Sequence, residues 1–530
     1  MKKILIVESP NKAKEISHMK LGMEVKATLG HIADLPPNEM GMEITPDKVY
    51  FLLEPLKNKK KTIAELKKAC KGNVVYIASD PDREGEAIAW HVYREIKKVA
   101  KEIYRIDIHA ITKNEIEKAL KNTRSINENL VEAQVARRLT DRWIGYVLSP
   151  LACRELKKKV SVGRTQTSGL RIVYDREREI EKFVPEPLWK VVLDVGDTFS
   201  SQNFKDENKA KDLLEKLKRG IVVSDVEKKL EPKSPPAPLT AASMQQRASA
   251  FKWNANKTMQ TAQSLFEKGL ISYHRTDSVR LSDETLSGLR NYLKDKHPEL
   301  LADKPMKHKN KNRTQDAHEA IHPTNFGNEP DKLNISSDEK LLYSLIWNFT
   351  LASQSKPALY EVVTVKAGND LAPEALKVVG RKRTFDGWEK FLKEEGTKNI
   401  REYKKGQRLE GDLSIVKSFT TPPPRYDDGS FIKVLEAKGI GRPSTYAAIQ
   451  DTLFKRGYVK KEKGKYVLTD LGREVAEWAI KRFPEIADIN FTAHLEEMLD
   501  AVELGEENWE NVVRHVDEII RKEPFSRDIT

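Results

Sequence analysis

Asn73-Val-Val-Tyr-Ile-Ala-Ser-Asp-Pro-Asp-Arg-Glu-Gly85 joins a β-branched apolar run to three carboxylates at alternate positions. Val74 to Ala78 reads as a buried strand, and Asp80, Asp82 and Glu84 follow it. In an extended segment alternate side chains share a face, so the spacing predicts three acids on one side. Carboxylates that close repel unless a cation lies among them, and hard divalent ions such as Mg2+ take oxygen ligands of this kind. Gly85 permits a tight turn, after which Glu86-Ala-Ile-Ala-Trp-His91 starts a helical pattern. Strand, acids, glycine and helix in that order predict a metal site at the C-terminal edge of a parallel sheet, where open α/β sheets bind ligands. A solvated acidic turn is the bland alternative on this motif alone.

A second strand-end acid lies near the start of the chain, in Lys2-Lys-Ile-Leu-Ile-Val-Glu8-Ser-Pro-Asn-Lys12. Lys12 falls one helical turn past Glu8, in reach of a phosphate or of the carboxylates. The pair of segments resembles the Toprim domain of topoisomerases, bacterial primases and some nucleases. That resemblance implies Glu8 as a general acid/base and Asp80, Asp82 and Glu84, with Glu8 beside them, as the Mg2+ site. It does not by itself choose the reaction.

The 530 residues suggest three or four domains, and 39% hydrophobic with 33% charged residues fits a globular protein. No apolar run reaches the roughly 18 residues of a membrane span, and the N-terminus reads as a core strand, so the expected location is cytoplasmic. Cys70 and Cys153 are too few for a four-cysteine zinc site. The net charge is +13, with basic clusters at Lys57 to Lys61, Lys157 to Lys159 and Lys307 to Arg313. Each alone is a solvated face; together they favour a polyanion whose binding weakens with salt.

Alternating strand and helix signals run to about residue 118, and helical ones from Thr112 to Lys182. Strand patterns appear after Lys190 and return near Tyr360 to Val365 and Ala375 to Val379. Proline-rich breaks at Glu231 to Pro238 and Thr421 to Arg425 read as domain crossings. Helices dominate between them to about residue 360, and Lys463-Gly464 signals a hairpin in the mostly helical C-terminal stretch.

Gly269-Leu-Ile-Ser-Tyr273-His-Arg275-Thr-Asp-Ser278 lies between two helical patterns. Met259, Ala262, Leu265 and Phe266 mark an apolar face before it, with Gly269 as a C-cap; Ser282 reads as the next N-cap. Tyr273 is thereby held on an anchored link, which suits a nucleophile and also suits a core tyrosine. A phenol has a pKa near 10, so nucleophilic use needs a cation, and Arg275 could stabilise both a phenolate and an attacked phosphate. Attack on a phosphodiester stores the ester energy in a phosphotyrosine, so resealing needs no nucleotide. Consistently, no Gly-x-x-x-x-Gly-Lys-Ser/Thr loop occurs.

Tyr273-x-Arg-Thr-Asp-Ser278 resembles the active-site motif of type IA DNA topoisomerases. Val162-Gly-Arg164-Thr-Gln166-Thr, Gln315-Asp-Ala-His318-Glu-Ala-Ile-His-Pro323, Gly439-Ile-Gly-Arg442-Pro-Ser444-Thr-Tyr446 and Phe491-Thr-Ala-His-Leu-Glu496-Glu497 match further elements in the family's order. The resemblance spans residues 3 to about 505. It implies a multidomain α/β plus mostly α fold: a Toprim domain (1–118), a helical single-strand-binding domain (119–190 with 425–530), a β-rich hinge domain (191–235 with 360–424) and a helical domain carrying Tyr273 (236–359), forming a toroidal, gated core.

The resemblance also implies roles. Tyr273 forms a 5′-phosphotyrosine, Arg275 positions the scissile phosphate, His318 assists it and Lys12 contacts it near Glu8. Arg137, Arg138, Asp141, Arg142, Ser161, Arg164 and Gln166 line the single-strand groove, with Arg442 and Ser444 at a helix start suited to phosphate. Asp141 is equally readable as a helix-internal partner of Arg137 or Arg138. The implied substrate is single-stranded or underwound DNA in the nucleoid, handled by a monomer with Mg2+ and no nucleotide. Two departures stand out. No cysteines are available for the zinc modules of many bacterial members, which puts processive relaxation in question. Leu239 also stands where an aromatic residue is frequent. Another Toprim nuclease or primase, or an inactive single-strand-binding protein, are the alternative readings.

Overall fold

Strands β1 (Lys3–Val7), β2 (Glu24–Ala27), β3 (Val74–Ile77) and β4 (Glu102–Arg105) form a parallel sheet in the order β2-β1-β3-β4. The computed structural model describes residues 2–309, 318–392 and 396–522. Central β1 is apolar on both faces, as a buried parallel strand must be. Ile4 and Ile6 face α2 (Lys60–Cys70) and α3 (Arg83–Ile96), packing with Ile63, Leu66, Ala89 and Val92. Leu5 and Val7 belong to a different cluster. It takes in Ile16 of α1 (Pro10–His18) and Ile116 of α4 (Lys113–Lys121), together with Leu265, Phe266 and Tyr273 from far along the chain.

Helices α5 (Glu128–Leu156) and α6 (Arg164–Glu181) follow. The chain then enters an antiparallel sheet through β5 (Pro187–Asp194) and β6 (Thr198–Ser200), passes α7 (Glu207–Leu217) and continues in β7 (Ile221–Lys233). Helices α8 (Ala241–Ala248), α9 (Ala255–Glu267), α10 (Asp283–Lys296) and α11 (Ser337–Ser353) intervene. The sheet is completed by β8 (Ala358–Asn369), β9 (Ala372–Phe385), β10 (Arg408–Leu409) and β11 (Asp412–Phe419), in the order β10-β7-β8-β9-β6-β5-β11. The return helices are α12 (Asp428–Ala437), α13 (Tyr446–Lys455), α14 (Asp470–Arg482), α15 (Ile489–Glu503) and α16 (Trp509–Arg521), which pack with α5 and α6 around one core. Between α13 and α14, strands β12 (Val459–Glu462) and β13 (Lys465–Leu468) form the expected hairpin. Lys463 and Gly464 both have positive φ there, as a two-residue turn of this twist requires.

The first proline break differs in extent from its sequence reading. Strand β7 runs through Pro232, which pairs opposite Leu359, to Lys233. Its other neighbour, β10, touches only Ile221 and Val222, so Pro232 leaves no ladder partner unsatisfied on that side. The irregular crossing therefore starts at Ser234. A buried carboxylate fastens this corner: Glu389 accepts from Lys233 Nζ at 2.8 Å, from Arg383 Nη1 at 2.9 Å and from the Tyr360 hydroxyl. Part of the basic cluster at Lys307 to Arg313 lies outside the described residues, as do Gln315 to Ala317.

The shared core implies a steric test. Gly269 has φ +68°, and a Cβ there would stand 2.2 Å from the Ile111 carbonyl oxygen. Gly269→Ala combines left-handed strain with a backbone clash, and is expected to cost roughly 2–4 kcal/mol. A fall in thermal midpoint, with earlier proteolysis between α8–α11 and the N-terminal sheet, would show it.

Candidate active site

Pairing of Leu5 with Tyr76 and Ile6 with Ile77 brings the C-terminal ends of β1 and β3 together. The Ala78 amide still bonds the Ile6 carbonyl at 2.7 Å, and the Asp80 amide donates to Glu8 Oε1 at 2.8 Å. The register thus delivers the first two acids to one spot. Extended geometry ends at Asp82, which is the N-cap of α3: its Oδ1 accepts the Gly85 amide at 2.8 Å. The strand itself stops at Ile77, the chain bends at Pro81 and Asp82, and Glu84 lies in the first helical turn, so the three acids do not share one extended face. An N-cap aspartate with acids in the first turn stabilises a helix start, and that local preference overrides the alternation. Glu84 lies 3.5 Å from His31 Nε2. Gly85 does more than turn the chain: a Cβ there would fall 2.1 Å from the Asp80 carbonyl oxygen.

Burial, and then the Asp80 and Asp82 carboxylates, push the Glu8 acid up to about 8 against the pull of Lys12. Burial disfavours the Lys12 ammonium, but Asp80 and Glu8 beside it hold it above its ordinary value. Lys12 Nζ bonds Asp80, which Lys12 and Arg275 keep ionised despite burial. Glu84 is held low by its bond to His31, with help from Arg275 and Arg137. The donor set suits a hard divalent cation in kind, being all oxygen, and the crowding by Asp80 and Asp82 that, with burial, raises the Glu8 acid is what such an ion would offset. Among the described residues no three acid, histidine or cysteine side chains converge closely enough to hold an ion. Lys12 takes Asp80, the Gly85 amide and Tyr273 take Asp82, and His31 draws Glu84 aside.

Tyr273 lies on the link between α9 and α10. Its amide donates to the His109 carbonyl at 2.8 Å, the Ser272 amide to the His322 carbonyl at 2.9 Å, and Ile271 bridges to Pro323. Ile321 bridges in turn to Leu239. The segment around His318 to Pro323 is therefore the strap that holds the tyrosine loop, and buried Leu239 serves it without an aromatic ring. The Tyr273 side chain is 3% exposed, and its hydroxyl donates to Asp82 Oδ2 at 2.6 Å. Arg275 Nη1 is 3.8 Å from the same oxygen. His318 Nε2 lies 2.6 Å from the Pro81 carbonyl, which can only accept, so that nitrogen carries the proton. The His318 and Tyr273 ring centroids are 5.6 Å apart.

Burial and the Asp82 and Asp80 carboxylates raise the phenol well above 10, and Arg275 only partly offsets them. In this closed arrangement Tyr273 is a protonated donor. His31, which holds Glu84, was not singled out in the sequence; an isolated histidine between two strands carries no local signal.

The residues expected in the groove divide into two groups. Arg138 sits on α5 with its guanidinium forked onto Asp34 at 2.8 and 2.8 Å, half-exposed. Arg137 lies 3.9 Å from Asp141, and Arg142 is partly exposed on the same helix. Ser161 and Gln166 bond each other, Gln166 Nε2 donating to the Ser161 carbonyl at 2.7 Å. Ser444 is partly exposed just before α13. Arg164 is different: at 1% exposure it does not line an open groove in this arrangement. Its Nε donates to Asp141 at 2.9 Å and its Nη1 to buried Glu496 at 2.7 Å. A guanidinium at the first residue of α6, aimed inward between α5 and α15, meets acids before it meets solvent. Glu496, Asp500 and Glu503 follow i, i+4, i+7 spacing on α15, an acidic stripe that sequence reading could have found.

Three comparisons bear on this arrangement. A family model described as DNA topoisomerase matches residues 125–514, and one described as the Toprim domain matches residues 3–111. DNA topoisomerase 1 of Aquifex aeolicus is 40% identical over 535 residues, covering 96% of this chain and 97% of that protein. The solved full-length topoisomerase I of Thermotoga maritima superposes with a TM-score of 0.88 at 35% identity, covering 98% of this chain and 90% of that one.

The division of the arginines has a measurable consequence. Arg164→Ala leaves Glu496 buried without its partner and is expected to cost roughly 3–5 kcal/mol. Arg138→Ala, removing a half-exposed pair, is expected to cost less than about 1 kcal/mol. Denaturant unfolding of the two variants compares them directly.

Proposed function

The chain belongs to the type IA DNA topoisomerases, and on that premise we propose that it relaxes negatively supercoiled DNA, without a nucleotide, through a covalent bond between Tyr273 and a DNA 5′ phosphate. The observation that carries this reading is the Tyr273 hydroxyl, 2.6 Å from Asp82, at the seam between two separately built parts of the chain. A nucleophile placed there can be carried away with one part while the acids stay with the other.

An underwound strand enters along Arg138, Arg137 and Arg142, with Arg442 and Ser444 contributing phosphate contacts. The Tyr273 hydroxyl passes its proton to Asp82 Oδ2, to which it is already bonded, as its oxygen attacks the phosphorus; the bond from phosphorus to the 3′ oxygen breaks, and that oxygen takes a proton. Glu8 is the proposed donor: it is buried against the Asp80 amide, and its raised acid retains a proton near neutral pH. Arg275 and His318 sit where they can hold the scissile phosphate and the charge developing on it. Lys12, engaged with Asp80, reaches a phosphate only after exchanging partners.

Asp80, Asp82 and Glu84, with Glu8, are the residues proposed to hold Mg2+, which when bound would supply positive charge near the cleaved ends. Strand passage then requires α8–α11 to move off the N-terminal sheet, turning at the crossing after Lys233 and at Thr421 to Pro424. The proposed divisions of the chain are 1–118, 119–190 with 425–530, 191–235 with 360–424, and 236–359. One chain carries every group the reaction uses, which supports a monomer. Among the described residues no helix is long and apolar enough to cross a membrane, and the proposed place of action is nucleoid DNA in the cytoplasm.

Two measurements test the reading. Negatively supercoiled plasmid with Mg2+ and no ATP should give a ladder of topoisomers, and Tyr273→Phe should give none and form no protein–DNA adduct. Cleavage retained by Tyr273→Phe would favour a different Toprim chemistry. Mg2+ should raise the melting temperature of the protein, and the double change Asp80→Asn with Asp82→Asn should abolish that rise.

A further inference from the structure

Arg83 stands between Asp82 and Glu84 in the acid motif, yet its side chain leaves the acid cluster and crosses to α15. There Nη2 bonds Asp500 Oδ1, and Nε bonds Glu503 Oε2. Asp500 is shared. Arg442 donates to its other oxygen through Nη2 at 2.6 Å, and to Oδ1 through Nε at 3.4 Å. Arg442 is also tied to its own loop, donating Nη1 to the Gly441 carbonyl at 2.7 Å and the Gly439 carbonyl at 3.3 Å. One carboxylate therefore bridges a guanidinium of the proposed strand groove and a guanidinium inside the acid motif.

We infer that Asp500 is a positioning residue that couples strand binding at Arg442 to the placement of Asp82 and Glu84 through Arg83. This rests on the topoisomerase reading and adds to it a residue and a path. The physical argument is competition for a fixed set of acceptors. A phosphate that engages Arg442 draws donors away from Asp500, and the charge so released falls to Arg83, its remaining partner. Arg83 occupies the first position of α3, directly after the Asp82 cap. A firmer hold on Arg83 sets that helix start against α15, and both flanking acids move with it. Glu503 gives Arg83 a second anchor, so its side chain stays on α15 while Asp500 changes its share.

The test uses the full chain and a single-stranded oligonucleotide, with cleavage and religation followed separately. In Asp500→Asn the carboxylate can no longer bridge two guanidinium groups, and religation is expected to fall about tenfold while cleavage falls less than about threefold. Covalent adduct therefore accumulates. Affinity for the oligonucleotide, measured with Tyr273→Phe in both backgrounds, should change less than about threefold, because Arg442 is freed for phosphate. Asp500→Glu should restore religation to within about threefold of wild type, and Arg83→Lys should reproduce the defect without adding to Asp500→Asn. Equal loss of binding, cleavage and religation, with a lowered melting temperature and no rescue by glutamate, would reduce Asp500 to a structural ion pair. Wild-type religation by a folded Asp500→Asn or Arg83→Lys would also overturn the coupling. If wild type itself forms no Tyr273 adduct, the topoisomerase reading fails first and this inference falls with it.

Discussion

Strand β1 carries apolar side chains on both faces, and the helices nearest in sequence complete the cover of only one. Ile4 and Ile6 are buried by α2 and α3, while much of the cover for Leu5 and Val7 comes from helices more than two hundred residues away. The hydrophobic effect is non-directional, so burial alone would accept many partners for that face. What selects α9 and its following loop is a small set of directed contacts: the Tyr273 amide on His109, Gly269 against Ile111, and His318 on Pro81. The same interface that completes the core of the N-terminal sheet places a phenol on a carboxylate. Stability and reactive geometry are therefore one constraint, and loosening either loosens both.

Charge is organised on a second principle. The chain is basic overall, yet around the seam arginines and acids alternate: Arg83, Arg164 and Arg442 against Asp141, Glu496, Asp500 and Glu503. Burial alone would make each of these ions costly, and mutual pairing keeps them charged. Arg442, Arg137 and Arg83 hold Glu496 ionised along with its direct partner Arg164. Such a network fixes the relative positions of α3, α5, α6 and α15 through direction-dependent bonds, where apolar packing alone would allow sliding. Arg442, the member proposed to meet a strand, is held in one orientation by Asp500 and its own loop, and such preorganisation would reduce the ordering cost of binding.

Much of this was readable in the residues, and the failures have physical causes. The Ser282 cap, the Gly269 turn, the Lys463-Gly464 hairpin and the strand-end position of Glu8 and Asp80 follow from local preferences, and local preferences were honoured. The acid triplet departs from period-two alternation because the strand stops before it and Asp82 is itself a good cap. The first crossing is shorter than its proline-rich stretch because Pro232 can stay in a strand whose other edge is open there. The resemblance of Val162-Gly-Arg164-Thr-Gln166 to a family element implies a groove role for Arg164; its burial in this arrangement depends on an acid 332 positions away, which spacing cannot show. The raised phenol of Tyr273 likewise depends on burial first and then on Asp82, 191 residues distant. Residue type predicted what these groups could do, and long-range contact decided what they were doing.

Asp82 uses its two oxygens for different employers. Oδ1 holds the Gly85 amide at the start of α3, and Oδ2 accepts from Tyr273. Were the tyrosine to leave with its own part of the chain, as the proposed strand passage requires, the first bond would be untouched and the helix start would go on dictating where the carboxylate points. The second oxygen would be left vacant in an orientation already correct for a returning hydroxyl. The closed geometry would thus be recorded in the helix start, and reclosure would be a search for one matching surface, with no need to rebuild the site.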